Sequence, residues 1–264
     1  MTRTIALVTG AGAGIGAAIA RRLAADGMFV VVNDVRADAA VAVADEVGGA
    51  AAVFDVADAS AVDAAVDGVV LAHGRLDVVV NNAGMLGLTD EVLGRAGANM
   101  MSALTGDPIE PIRAVSSMTD EAWDRMLKVH LYGTFFVTRA ALRHMEPARS
   151  GAIVNMASIY GLEGNALDPA YAVAKGGIVQ LTRSVGAEVA PFGIRVNAVA
   201  PGFIDTDLMA GLPDVMVDVV VGRTPAGRLG TAAEVAEAVA FLASDRASFC
   251  CGEVLTVSGG WAGT

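Results

Sequence analysis

The chain has 264 residues, 54% of them hydrophobic but only 5% aromatic, and a formal net charge of −11 at pH 7. That length suits one sizeable α/β domain. The acidic balance argues against nucleic acid and anionic lipid as partners, and no apolar run is long enough to cross a bilayer.

The N-terminus carries no secretory-leader pattern and passes straight into a predicted strand, Ile5–Val8. A helix over Gly14–Asp26 follows, with apolar Ile15, Ile19 and Leu23 on one face. Strand Phe29–Val32, helix Ala37–Val47, strand Ala51–Phe54, helix Ser60–His73 and strand Leu76–Val80 continue the alternation. Met85–Ser117 reads as a long connection, of the length that is usually functional or mobile. Thr119–Met145 reads as one long helix, capped by Thr119 with Asp120 and Glu121 in its first turn. Strand Ala152–Met156, helix Pro169–Val189 and strand Arg195–Val199 precede a second irregular stretch, Phe203–Arg228, rich in Met, Leu and Val. That stretch is either ordinary packing or a cover over a substrate. Helix Thr231–Ala243 has a Thr231/Glu234 capping box, and Val254–Val257 is the last strand. The order implies a single Rossmann-type domain: a doubly wound parallel sheet of about seven strands, helices on both faces. The only cysteines, Cys250 and Cys251, are adjacent and build no disulfide framework, so a cytoplasmic location is expected.

Thr9-Gly10-Ala11-Gly12-Ala13-Gly14-Ile15-Gly16 lies between the first strand and the first helix. Glycine lets backbone approach a pyrophosphate, and the helix start offers free N–H groups; a mere strand–helix turn is the bland alternative. Asp34 ends the second strand, where a carboxylate can accept from both ribose hydroxyls and repel a 2′-phosphate. NAD is therefore favoured over NADP, with Arg36 as a competing cation and a surface charge or helix cap as the bland reading of Asp34.

These features and others downstream resemble the short-chain dehydrogenase/reductase family along nearly the whole chain. Thr9–Gly16 is similar to its T-G-x-x-x-G-x-G pattern, Asn81-Asn82-Ala83-Gly84 to its N-N-A-G, and Tyr171-Ala172-Val173-Ala174-Lys175 to its Y-x-x-x-K. Ser158 stands thirteen residues before Tyr171, as the family's catalytic serine does. The resemblance implies a dinucleotide held by Gly10, Gly14, Ile15, Gly16, Asp34, Asp55, Val56, Asn82, Ala83 and Gly84. It adds Pro201, Gly202, Ile204 and Thr206 around the nicotinamide, with Tyr171 and Lys175 also touching the cofactor. It further implies a twofold-symmetric homotetramer built on the helices that carry His130 and Tyr171. Three departures stand out: His130 replaces the usual Asn of the long helix, Met85–Ser117 exceeds the family's usual length, and Ser258 replaces a common Asp.

Tyr171 and Lys175 are four residues apart, so on a helix they share a face. A cation 4–5 Å away contributes about 3–4 kcal/mol at an effective dielectric of about 20, which would lower a phenol by about two pKa units before desolvation. Tyr171 is then the acid/base, Ser158 positions the substrate oxygen, and Lys175 tunes Tyr171. His130 either replaces the missing Asn in a proton relay or is a structural histidine whose ring finds a local hydrogen bond. No His/Cys cluster has metal-ligand spacing, so no metal is expected. The leading expectation is hydride transfer between NAD(H) and a small, apolar secondary alcohol or ketone. The alternatives are an NADPH-dependent 3-oxoacyl thioester reductase and a non-catalytic dinucleotide-binding regulator.

Overall fold

The computed structural model describes residues 3–206, 209 and 214–261, without the side chains of Leu104 and Asp214. Its parallel sheet takes the strands in the order β3-β2-β1-β4-β5-β6-β9. They are β1 (Ile5–Val8), β2 (Phe29–Asp34), β3 (Ala50–Val53), β4 (Val78–Asn81), β5 (Gly151–Met156), β6 (Ile194–Pro201) and β9 (Val254–Val257). The central strands are continuous apolar runs because both sheet faces are covered. Ala6 and Val8 of β1 pack with α1 (Gly14–Ala25) and α2 (Ala37–Val47) on one face. Ile5 and Leu7 pack on the other with α3 (Ala59–His73).

The sheet order reverses between β1 and β4, where Ala6 pairs with Val78 and Val8 with Val80. A crevice opens outside the strand ends at that point, as in other doubly wound sheets. Asn81 at the end of β4 donates to Thr138 Oγ1 (3.0 Å) and Asn155 Oδ1 (2.8 Å), and Asn155 donates to Thr182 Oγ1 (2.9 Å). These buried amides tie the sheet to the two helices that carry the chemistry.

Three elements differ from the sequence expectation. Within Met85–Ser117 lies α4 (Asp90–Thr105), capped by Thr89 Oγ1 on the Val92 N–H and with Asp90 and Glu91 in its first turn. The stretch is thus largely a helix, not a bare connection; Arg95 and Asn99 bond back to the carbonyls of Ile112 and Glu110. The expected helix Thr119–Met145 does start after Thr119, as α5 (Asp120–Leu127), and continues as α6 (Gly133–Ala148). Between them, Lys128–Tyr132 forms a π turn, so the helix is not uniform. The Phe203–Arg228 stretch contains β7 (Ile204–Asp205) and α8 (Asp214–Arg223). Residues 207, 208 and 210–213 of it lie outside the described residues. Helices α7 (Pro169–Val189) and α9 (Ala232–Ala243) fall where the periodicity placed them or beside it, and the Thr231/Glu234 capping box is present; the short strand β8 (Gly230–Thr231), paired with β7, was not expected.

Candidate active site

The glycine-rich turn is held open from below. Asn82 donates its amide to the carbonyls of Thr9 (3.0 Å) and Gly10 (2.9 Å), while Thr9 Oγ1 accepts from the N–H groups of Asn82 and Ala83. Gly10 has φ +59°, and a Cβ there would stand 2.7 Å from Ala83 Cα. The N-cap of α1 is Ala13, which supplies no side-chain cap. The first N–H groups of the helix therefore remain for an anion, and the surrounding glycines leave room for one. Gly14, Ile15 and Gly16 line the same cleft. Asp34 Oδ2 accepts from the Gly12 N–H at 3.1 Å, and Oδ1 accepts from the Arg36 N–H at 3.0 Å. Its carboxylate thus stands at the far end of the crevice from the chemistry, with Asp55, Val56, Ala83 and Gly84 lining the wall between. This donor-lined, glycine-cradled crevice fits a nicotinamide dinucleotide.

At the other end, β5 leads into Ser158, and α7 brings up Tyr171 and Lys175 one turn apart. All three line the cleft, whose volume is about 1090 Å³. The Ser158 hydroxyl stands near enough to the Tyr171 phenol to act on its titration. Lys175 donates from Nζ to the Met156 carbonyl at 2.6 Å and sits 5.5 Å from the Tyr171 ring centre. Burial pushes the Tyr171 phenol up to about 12, with the Ser158 hydroxyl pulling the other way. Burial also pushes Lys175 down to about 7. The expected lowering of Tyr171 by Lys175 is therefore not present in this state. Desolvation is the largest cause of the rise, and the amine's own charge is only partial at neutral pH.

His130 sits in the π turn, buried, with its ring edge-on to Tyr171 at 5.3 Å between centres. Its Nε2 meets the Met85 backbone, 2.8 Å from the carbonyl oxygen and 3.0 Å from the nitrogen; which one it bonds depends on the tautomer. Nδ1 has no partner among the described residues. Burial, with Lys175 nearby, lowers its pKa to about 3. The ring is thus neutral at physiological pH and anchors the start of the Met85–Ser117 stretch.

Residues 10–262 match the family model described as Enoyl-(Acyl carrier protein) reductase. The chain belongs to the short-chain dehydrogenase/reductase family. It is an oxidoreductase that uses a nicotinamide dinucleotide. It is 43% identical over 263 residues to cis-4-hydroxycyclohexanecarboxylate dehydrogenase of Sinomonas cyclohexanicum, covering 97% of this chain and 96% of that one. It is 38% identical over 258 residues to a 3-oxoacyl-(acyl-carrier-protein) reductase of Escherichia coli, again covering 97% and 96%. A solved structure of 3-oxoacyl-(acyl-carrier protein) reductase from Brucella melitensis superposes with a TM-score of 0.86 at 33% identity, covering 100% of this chain and 93% of that one.

Among the residues that the family resemblance singled out, Pro201, Gly202, Ile204 and Thr206 also line the cleft. Two further segments add apolar lining to the cleft. Leu86, Leu93 and Met100 come from the α4 region, and Met216, Val219 and Val220 from α8. Sequence reasoning missed Asp168, the buried N-cap of α7. Its Oδ1 accepts from the Tyr171 N–H at 3.1 Å and its Oδ2 from the Gly87 N–H at 2.9 Å, joining the extra helix region to the helix of Tyr171. The available signal was an acid directly before Pro169, a helix-start pattern. Also missed was the aromatic row Tyr160, Phe203 and Trp261, with ring centres 5.8 and 4.9 Å apart. Nothing in sequence spacing brings those three together. Among the described residues no group of three or more His, Cys, Asp or Glu is placed to hold a metal, and no helix is long and apolar enough to cross a membrane.

Proposed function

We propose that the protein transfers a hydride between NAD(H) and a secondary alcohol/ketone pair, with Tyr171 as general acid/base. The observation that carries this is Ser158, Tyr171 and Lys175 brought together in the same cleft as the glycine turn, with Lys175 one turn on from Tyr171. A bound nicotinamide supplies the hydride donor or acceptor. Tyr171 is protonated at neutral pH, the form that donates to a ketone oxygen, and Ser158 holds that oxygen beside it. Alcohol oxidation needs the phenolate instead, so it accelerates with rising pH, while ketone reduction does not. Asp34 facing the glycine turn supports NAD, and Arg36 is drawn toward the Asp34 carboxylate (3.4 Å) instead of standing free for a 2′-phosphate.

The apolar walls suit a compact apolar alcohol or ketone, and the Sinomonas relative is named for a secondary ring alcohol. An NADPH-linked 3-oxoacyl thioester reductase is the second reading, favoured by the name of the Escherichia coli relative. The test is oxidation of cyclohexanols and of a hydroxycyclohexanecarboxylate with NAD and with NADP, against reduction of a 3-oxoacyl thioester. Turnover of ring alcohols with NAD, falling at least about 100-fold in Tyr171→Phe, supports the first reading. Near-normal turnover in that variant would remove Tyr171 from the chemistry. We also propose a homotetramer: Tyr132 and Phe135 on the π turn and α6, and Val173 on α7, are exposed apolar side chains on the helices expected to pair.

A further inference from the structure

We infer that the substrate carries a carboxylate, held by Arg223 with the Tyr160 hydroxyl at the end of the cleft away from the dinucleotide. This deepens the alcohol/ketone reading and rests on it. The aromatic row starts at the chemical centre, where the Tyr160 N–H donates to Ser158 Oγ at 3.2 Å. It runs through Phe203 to Trp261, and the Arg223 guanidinium stacks on Trp261 at 4.7 Å from the ring centre. Tyr160, Phe203, Trp261 and Arg223 all line the cleft.

Of the arginines lining the cleft, Arg223 is the one set over an aromatic ring among the described residues. Arg125 and Lys128 stand one turn from Glu121 and Asp124 and lie over no ring among the described residues. Arg36 is drawn to Asp34. Arg223 has no ion pair among the described residues, and the nearby Glu163 carboxylate accepts from Trp261 Nε1 at 3.3 Å. Burial raises the Tyr160 phenol, and the Arg223 charge opposes that rise, so the two groups sense each other and the hydroxyl stays a donor at neutral pH. A guanidinium held over an indole in an apolar cleft that Tyr160 also lines is suited to a carboxylate. A protein of net charge −11 needs such a local cation to accept an anionic substrate.

The test compares a hydroxycyclohexanecarboxylate with its methyl ester in the full-length enzyme and in Arg223→Gln. The expected result is a loss of kcat/KM for the acid that exceeds the loss for the ester by about 10- to 100-fold, carried mainly by KM. Arg223→Lys should recover part of it. Equal use of acid and ester by the parent, or equal loss of both in the variant, overturns the inference. A matching rise in the KM for NAD with either substrate overturns it too, by giving Arg223 to the coenzyme phosphates. Calorimetric binding of cyclohexanecarboxylate in the presence of NAD does not depend on turnover. Binding that weakens in Arg223→Gln sustains the carboxylate site even if ring alcohols are not oxidised. Absence of binding to the parent sinks the site while leaving the alcohol/ketone reading intact.

Discussion

Removing the amine of Lys175 should stabilise the dinucleotide-free protein while destroying its activity. Burial lowers this amine from 10.5 to about 7, a difference worth about 5 kcal/mol against the folded state wherever both forms are protonated. Between pH 7 and 10.5 the unfolded chain binds a proton that the folded chain has shed, so stability rises with pH across that window. At pH 7 about 4 kcal/mol of the penalty remains. Lys175→Met abolishes it, but leaves the Met156 carbonyl without its 2.6 Å partner, which costs about 1–3 kcal/mol. The variant should therefore be about 2 kcal/mol more stable than the parent at pH 7. The advantage should shrink by about 1.4 kcal/mol per pH unit above pH 7.5 and change sign near pH 9. Tyr171, held up to about 12, costs stability above its unfolded value near 10 in both proteins and largely cancels in the comparison. Urea unfolding at fixed protein concentration, from pH 7 to 9.5, reads the difference. A difference that stays constant with pH would refute the reasoning, whatever its size.

Asp34→Ala should weaken NAD and improve NADP use, read as the ratio of kcat/KM values; a parent that already prefers NADP would show that Arg36 governs the choice. His130→Asn should retain turnover, because the ring serves the Met85 backbone and carries no proton at neutral pH. The same variant should resist acid better: His130 titrates at about 3 when folded against 6.5 when free, so its contribution is lost as pH falls from 6.5 towards 3. Circular dichroism against pH checks this, and an unchanged acid midpoint counts against it. Phe135→Glu should dissociate the proposed tetramer, read by light scattering against the 26.7 kDa chain mass; a parent that is already monomeric removes the proposal.

The alternation of valine runs and alanine-rich helices made the sheet and its crevice legible, because strand and helix periods differ and each strand is followed by a clear turn. The glycine turn and the Ser158, Tyr171 and Lys175 spacing were legible because each motif is local. The helix Asp90–Thr105 escaped notice for a physical reason: Gly94 and Gly97 interrupt it and its apolar residues form no sustained stripe. Its start was nonetheless written in Thr89-Asp90-Glu91, the same cap-and-acid pattern that marked Thr119-Asp120-Glu121. Helix Asp214–Arg223 is dense in β-branched valine, which intrinsic propensity assigns elsewhere. The balance at Tyr171 was illegible because charge attraction can be read from spacing, whereas desolvation depends on what the finished fold packs around both groups.

The π turn at Lys128–Tyr132 acts as a phase shifter. In an unbroken α-helix, Met126 and Val137 would lie on nearly the same face, since eleven residues make just over three full turns. The wider turn rotates one against the other by about a quarter turn. Met126 can therefore pack with Ala170 and Ala174 beside Tyr171, while Val137 packs into the sheet core with Ile153. One rod thus keeps two appointments that a regular helix could not, and the residue count between them is fixed. Forcing residues 128–132 into α geometry at constant length would swing one half of the rod out of frame with the other, whereas deleting one of them would keep the frame and lose the turn that carries His130.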